Sequence, residues 1–92
     1  MIITFKQKEL CRFFNTGHAR IPAPAHRRRV MLVLDLLQAA TRAEDMNFPG
    51  SGFHHLEPPT ASRYAVSVDA NWRICFVFRD GDAYEVEYTD YH

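Results

Sequence analysis

Trp72-Arg73-Ile74-Cys75-Phe76-Val77-Phe78-Arg79-Asp80-Gly81-Asp82-Ala83-Tyr84 reads as a strand, a two-residue turn and the start of a second strand. Side chains alternate between the faces of a strand, so Trp72, Ile74, Phe76 and Phe78 share one face, and Arg73, Cys75, Val77 and Arg79 the other. Asp80-Gly81 suits the central positions of a type I′ hairpin, both of which need positive φ. Residues 63–68 and 83–88 alternate in the same way, which predicts a three-stranded antiparallel meander. Its aromatic face has to be covered, and the upstream residues supply the cover.

Those residues carry helical spacing. Leu10, Phe13 and Phe14 predict a short helix over residues 7–15, stopped by Asn15-Thr16-Gly17. Pro22 and Pro24 precede a stretch over residues 25–41 in which Val30, Val33, Leu34, Leu37 and Ala40 or Thr41 fall on one stripe. Ile2-Ile3-Thr4-Phe5 suits a strand at a sheet edge. Asn47, Pro49, Gly50 and Gly52 make residues 44–52 a loop, and residues 53–56 suit a short strand closed by Pro58-Pro59. The expected fold class is α+β: two N-terminal helices packed on a twisted antiparallel sheet. With 92 residues, 47% of them hydrophobic, the chain supports one core, hence a single domain over residues 1–92.

Bulk properties narrow the function. Cys11 and Cys75 are the two cysteines, both in apolar-periodic contexts, which reads as core or inert thiols in a reduced, cytoplasmic protein. No signal-peptide pattern opens the chain. Its longest apolar run, Val30-Met31-Leu32-Val33-Leu34, is far short of the roughly 20 residues that cross a bilayer, so no membrane role is expected. The formal net charge is zero but unevenly spread. Residues 1–42 hold eight Lys or Arg against Glu9 and Asp35, a balance of +6, and residues 43–92 hold three Arg against nine acids, a balance of −6. Two arrangements stay open: a two-signed surface, one face of which meets a polyanion, or interleaved charges that cancel on folding.

Proton-transfer chemistry gathers at the end of the chain. Arg73 points away from the core face, and the hairpin register brings Asp90, Tyr91 and His92 near the start of its strand. His54 or His55, on the short strand, borders the same surface. Cleaving RNA without a metal needs a base for the 2′-hydroxyl, a cation for the pentacovalent phosphate and an acid for the 5′-oxygen. Imidazole, guanidinium and phenol supply those roles, and imidazole titrates near neutral pH. Asp90 and the terminal carboxylate favour a charged His92, suited to an acid or phosphate-holding cation. His54 or His55 is then the better base candidate, and Arg73 the fork for the scissile phosphate. The blander reading makes Arg73 a solvated strand residue. Adjacent strand residues point to opposite faces, so His54-His55 is a poor metal pair and no metal site is expected. Arg27-Arg28-Arg29, with Arg20 in the preceding loop, is the densest basic cluster; phosphate contact and a solvated helix start are the two readings.

The run Val68-Asp69-Ala70-Asn71-Trp72-Arg73-Ile74-Cys75-Phe76, then Asp80-Gly81-Asp82-Ala83-Tyr84, then Asp90-Tyr91-His92 closely resembles the HigB branch of RelE-like toxins of bacterial toxin-antitoxin systems. The motif match is tight over residues 64–92; over the helices it rests on length and element order. The resemblance implies a RelE-like fold and a metal-free, cofactor-independent endonuclease that cuts messenger RNA in the ribosomal A site. It implies a catalytic cluster of His54, Arg73, Asp90, Tyr91 and His92. It also implies a HigA-like helix-turn-helix antitoxin partner, docking on the 70S ribosome, and operator DNA bound only through the antitoxin complex.

One departure stands out. Where relatives place a Lys shortly after the matching His, this chain reads His54-His55-Leu56-Glu57, an acid at the cation position. Glu57 cannot hold a phosphate. Its open roles are a base, an orienting partner of His55 or a mark of weakened catalysis, with His55 open to supply the missing positive charge. With only Lys6 and Lys8, ribosome docking would lean on Arg20, Arg27, Arg28 and Arg29. The alternative reading is a RelE-fold interaction protein with weakened or lost RNase activity that binds an antitoxin-like partner.

Overall fold

The computed structural model describes residues 1–56 and 62–91. Glu57 and His92 lie outside the described residues. Helix α1 spans Lys8–Thr16 and buries Leu10 and Phe13; Gly17, at φ 76°, donates its N–H to the Phe13 carbonyl at 2.7 Å and ends the helix in the left-handed conformation. A 3-10 turn at Pro24–His26 leads into α2, Arg27–Ala39, which buries Val30, Val33, Leu34 and Leu37. Each of these removes an apolar side chain from water, worth roughly 1.5–3 kcal/mol per residue.

The second helix ends two residues before the expected Thr41. Asp45, in a following 3-10 turn at Ala43–Met46, accepts the N–H groups of Thr41 and Arg42 at 2.9 and 3.1 Å. Those amides are then taken from the helix, and the Thr41 bond is the largest cause holding the Asp45 carboxyl below its ordinary range.

Four strands follow: β1 His54–His55, β2 Arg63–Ser67, β3 Trp72–Arg79 and β4 Asp82–Asp90. They form one antiparallel sheet in the order β1-β2-β3-β4. Asp80 and Gly81 both take positive φ, 51° and 83°, as the hairpin turn requires. Residues 2–5 do not extend the sheet as a regular strand. Ile2 and Phe5 make single parallel bridges to Ala83 and Val86 on the free edge of β4, interrupted where Glu85 turns to φ 53° and its N–H bonds Thr4 Oγ1.

Ile74, Phe76 and Phe78 face the helices in one core with Val30, Leu34 and Leu37, and Trp72 packs against it. The opposite face is not bare: Cys75 and Val77 are buried there too, and burial pushes the Cys75 thiol pKa up. The charge halves partly interleave, since Lys6 pairs with Glu87 at 3.5 Å and the N-terminal amine with Asp82 at 2.9 Å.

A polar relay ties α2 to the sheet. His26 bonds Asp69 Oδ2 through Nε2 at 2.7 Å and the Tyr88 hydroxyl through Nδ1 at 2.6 Å. A carboxylate only accepts, so Nε2 carries a proton. Asp69 also accepts the N–H groups of Asn71 and Trp72, which shapes the turn into β3, and Trp72 stacks on Tyr88 at 4.5 Å. Its carboxyl sits below the usual range, chiefly through the Asn71 bond, while burial raises the Tyr88 phenol. His26→Ala leaves the buried Tyr88 hydroxyl without its imidazole. We expect a loss of about 1–3 kcal/mol in urea unfolding; a change below about 0.5 kcal/mol would show that the relay contributes little.

Candidate functional site

The sheet register sorts the sequence-predicted residues by face. Arg73 pairs with Ser67 on one side and Thr89 on the other, and Cys75 pairs with Ala65 and Glu87. His54 pairs with Ala65, so it shares the outer face with Arg73. His55 pairs with Tyr64 and stacks on its ring at 4.6 Å, on the helix side. Of the two adjacent histidines, His54 is therefore the one that shares the face of Arg73.

Tyr91, just beyond β4, closes the outer face. Its N–H bonds the Asn71 carbonyl at 3.0 Å, its ring lies under the Arg73 guanidinium at 4.7 Å, and its hydroxyl reaches Ser67 Oγ at 3.0 Å. The phenol thus crosses Arg73 and points toward β2 and β1. On that side His54 Nδ1 meets the Gly52 carbonyl at 2.9 Å. A carbonyl only accepts, so Nδ1 carries the proton, and in the neutral ring Nε2 is the bare acceptor facing out. Ser67 joins the two sides: a Cβ at Gly52 would come within 2.6 Å of its Oγ, a close approach that only glycine allows.

Arg73 Nε is buried with no hydrogen-bond partner among the described residues. A buried donor of this kind is costly unless an acceptor arrives, and a phosphate oxygen is such an acceptor. His54, Arg73 and Tyr91 thus border one outer surface that carries an imidazole, a guanidinium and a phenol.

The remaining predicted residues are placed differently. Asp90 pairs with Trp72, which puts it on the helix side at the sheet end rather than beside Arg73. Arg27 folds back onto the carbonyls of Ala19 and Pro22 at 2.6 and 3.3 Å. Arg29 holds the carbonyls of Ser67 and Gly50. Arg28 is exposed on α2, and Arg20 lines a surface depression with Glu9, Arg12, His18 and Ala19. The basic run is therefore divided between loop anchors and open charge.

The sequence as a whole has close counterparts. The model of the family described as the RelE-like toxin of type II toxin-antitoxin system HigB matches residues 3–92. The chain belongs to that family. It is also 38% identical over 96 residues to the endoribonuclease HigB of Proteus vulgaris, a match that covers 100% of both chains. The helices-then-meander fold is thus that of a HigB-like toxin, and membership in a type II system implies an antitoxin partner. No helix among the described residues is long and apolar enough to cross a membrane.

Two residues that border this surface escaped the reading of the sequence, Ser67 and Gly52. The alternation of residues 63–68 contained a signal for Ser67, because pairing it with Arg73 puts both on one face. Gly52 gave only a loop signal; its role depends on how closely the loop lies on β2.

Proposed function

We propose that this toxin is an endoribonuclease that cuts messenger RNA in the ribosomal A site without a metal cofactor. The observation that carries the reading is the buried Arg73 Nε, which has no hydrogen-bond partner among the described residues, on the face shared with His54 and Tyr91. His54 Nε2 takes the proton of the 2′-hydroxyl as that oxygen attacks the neighbouring phosphorus. Arg73 donates to the non-bridging oxygens as negative charge builds, its plane held by the Tyr91 ring. The P–O5′ bond then breaks and the leaving oxygen takes a proton, a role assigned to His92, which follows Tyr91. The products are a 2′,3′-cyclic phosphate and a 5′-hydroxyl.

The same reading assigns a HigA-like helix-turn-helix antitoxin, operator DNA bound only through that complex, the 70S ribosome as the platform, and the cytoplasm as the location. Exposed Arg28 and Arg20 are its candidates for ribosomal phosphate contact. Glu57 and His55 are auxiliary, with the acid in place of the cation tuning the rate. Primer extension on messenger RNA programmed into ribosomes is expected to show cuts at the A-site codon and none on the same RNA without ribosomes. Equal cutting of free RNA would sink the ribosome-dependent part of the proposal.

A further inference from the structure

We infer that Arg29 is a positioning residue for the cleavage site, not a docking cation; this rests on the endoribonuclease reading above. Its guanidinium leaves α2 and donates Nε to the Ser67 carbonyl at 3.2 Å and Nη2 to the Ser67 and Gly50 carbonyls at 3.0 and 2.8 Å. The Phe48 ring lies under it at 5.4 Å. Ser67 is held a second time through its N–H, which bonds the Ser51 carbonyl at 2.7 Å. One fork therefore joins the helix, the loop over residues 48–52 and the end of β2.

Two of the three groups of the proposed site, His54 and Tyr91, stand on that junction. The Ser67 hydroxyl contacts the Tyr91 phenol at 3.0 Å, and Gly52, two residues after the clamped Gly50, supplies the carbonyl that receives His54 Nδ1. Releasing Gly50 loosens the loop that orients His54, and releasing Ser67 frees the seat of the Tyr91 ring under Arg73. A lysine carries the charge but not the planar fork needed to reach two carbonyls. Arg28, one residue earlier, is exposed, so two neighbouring arginines that look alike in sequence serve different ends.

The test is single-turnover cleavage of ribosome-bound messenger RNA by the full chain, with ribosome concentration and salt varied, for wild type, Arg29→Ala and Arg29→Lys. Arg29→Ala is expected to lower the maximal rate roughly 10- to 100-fold, the scale of a small misplacement of reacting groups, with the half-saturating ribosome concentration and salt slope unchanged. Arg29→Lys is expected to recover only part of the rate. An unchanged maximal rate with weaker, less salt-sensitive ribosome binding would overturn the inference, because that is how a phosphate contact behaves. Gly52→Ala guards against a folding artefact: it keeps Arg29 but pushes on Ser67 Oγ, and should also lower the maximal rate alone. A full maximal rate for Gly52→Ala would overturn the inference as well. If the wild-type chain cuts nothing, the endoribonuclease reading itself fails and takes this one with it.

Discussion

Arg73→Ala is expected to lower single-turnover cleavage of ribosome-bound messenger RNA by about 10²–10³-fold, the cost of removing one preorganised donor to a developing oxyanion. The expectation comes from where the side chain stands. Its pairing with Ser67 and Thr89 fixes it on the outer face, the Tyr91 ring fixes its plane, and its Nε is buried without an acceptor among the described residues. A donor already desolvated loses little solvation when a phosphate arrives, so its attraction is realised as charge develops. Arg73→Lys should restore only part of the rate, since a point charge cannot reproduce the fork. Folding should survive the Ala change, because the core lies on the other face with Ile74, Phe76 and Phe78. A loss of less than about threefold would remove Arg73 from the chemistry and return it to the solvated strand residue that its type alone suggests.

His54→Ala carries the second large effect, about 10²–10⁴-fold, the range for a lost general base. The Gly52 carbonyl fixes which nitrogen is bare, so His54→Gln, which keeps hydrogen-bonding capacity but cannot take up the proton, should not rescue. His55→Ala is expected to lose much less, because that ring stacks on Tyr64 on the helix side. A larger loss at His55 than at His54 would reverse the assignment and mean that the short strand turns over when RNA binds.

The fold was legible where one local rule decided the outcome. Period-two alternation over Trp72–Arg79 set both the core face and the outward direction of Arg73, and Asp80-Gly81 fixed the hairpin register because few residue pairs accept two positive φ values. Helix α2 was legible from its stripe, though its end was not: Asp45 captures the Thr41 and Arg42 amides from outside the helix, a contact that no periodicity reveals. The edge strand at residues 2–5 has the right composition, yet Glu85 interrupts the pairing from a residue more than 80 positions away in the chain.

The site divides along the same line. His54, Arg73 and Tyr91 share one face because alternation and register are short-range properties. Ser67 and Gly52 join them through a loop laid over a strand, a tertiary contact with no sequence period. Asp90 shows the limit of reading a terminal cluster as one unit: next to Tyr91 in the chain, it pairs with Trp72 and so faces the other way. The run Arg27-Arg28-Arg29 shows it again, since its outer members spend their charge on backbone carbonyls and only Arg28 stands exposed.

In the proposed mechanism, an imidazole on the outer face turns the RNA's own 2′-hydroxyl into the nucleophile. The mass of the 5′ fragment from a single-turnover cut on the ribosome tests this most directly. A 2′,3′-cyclic phosphate at its end is the predicted result; a free 3′-hydroxyl, with the phosphate on the downstream fragment, would mean attack by water and contradict it.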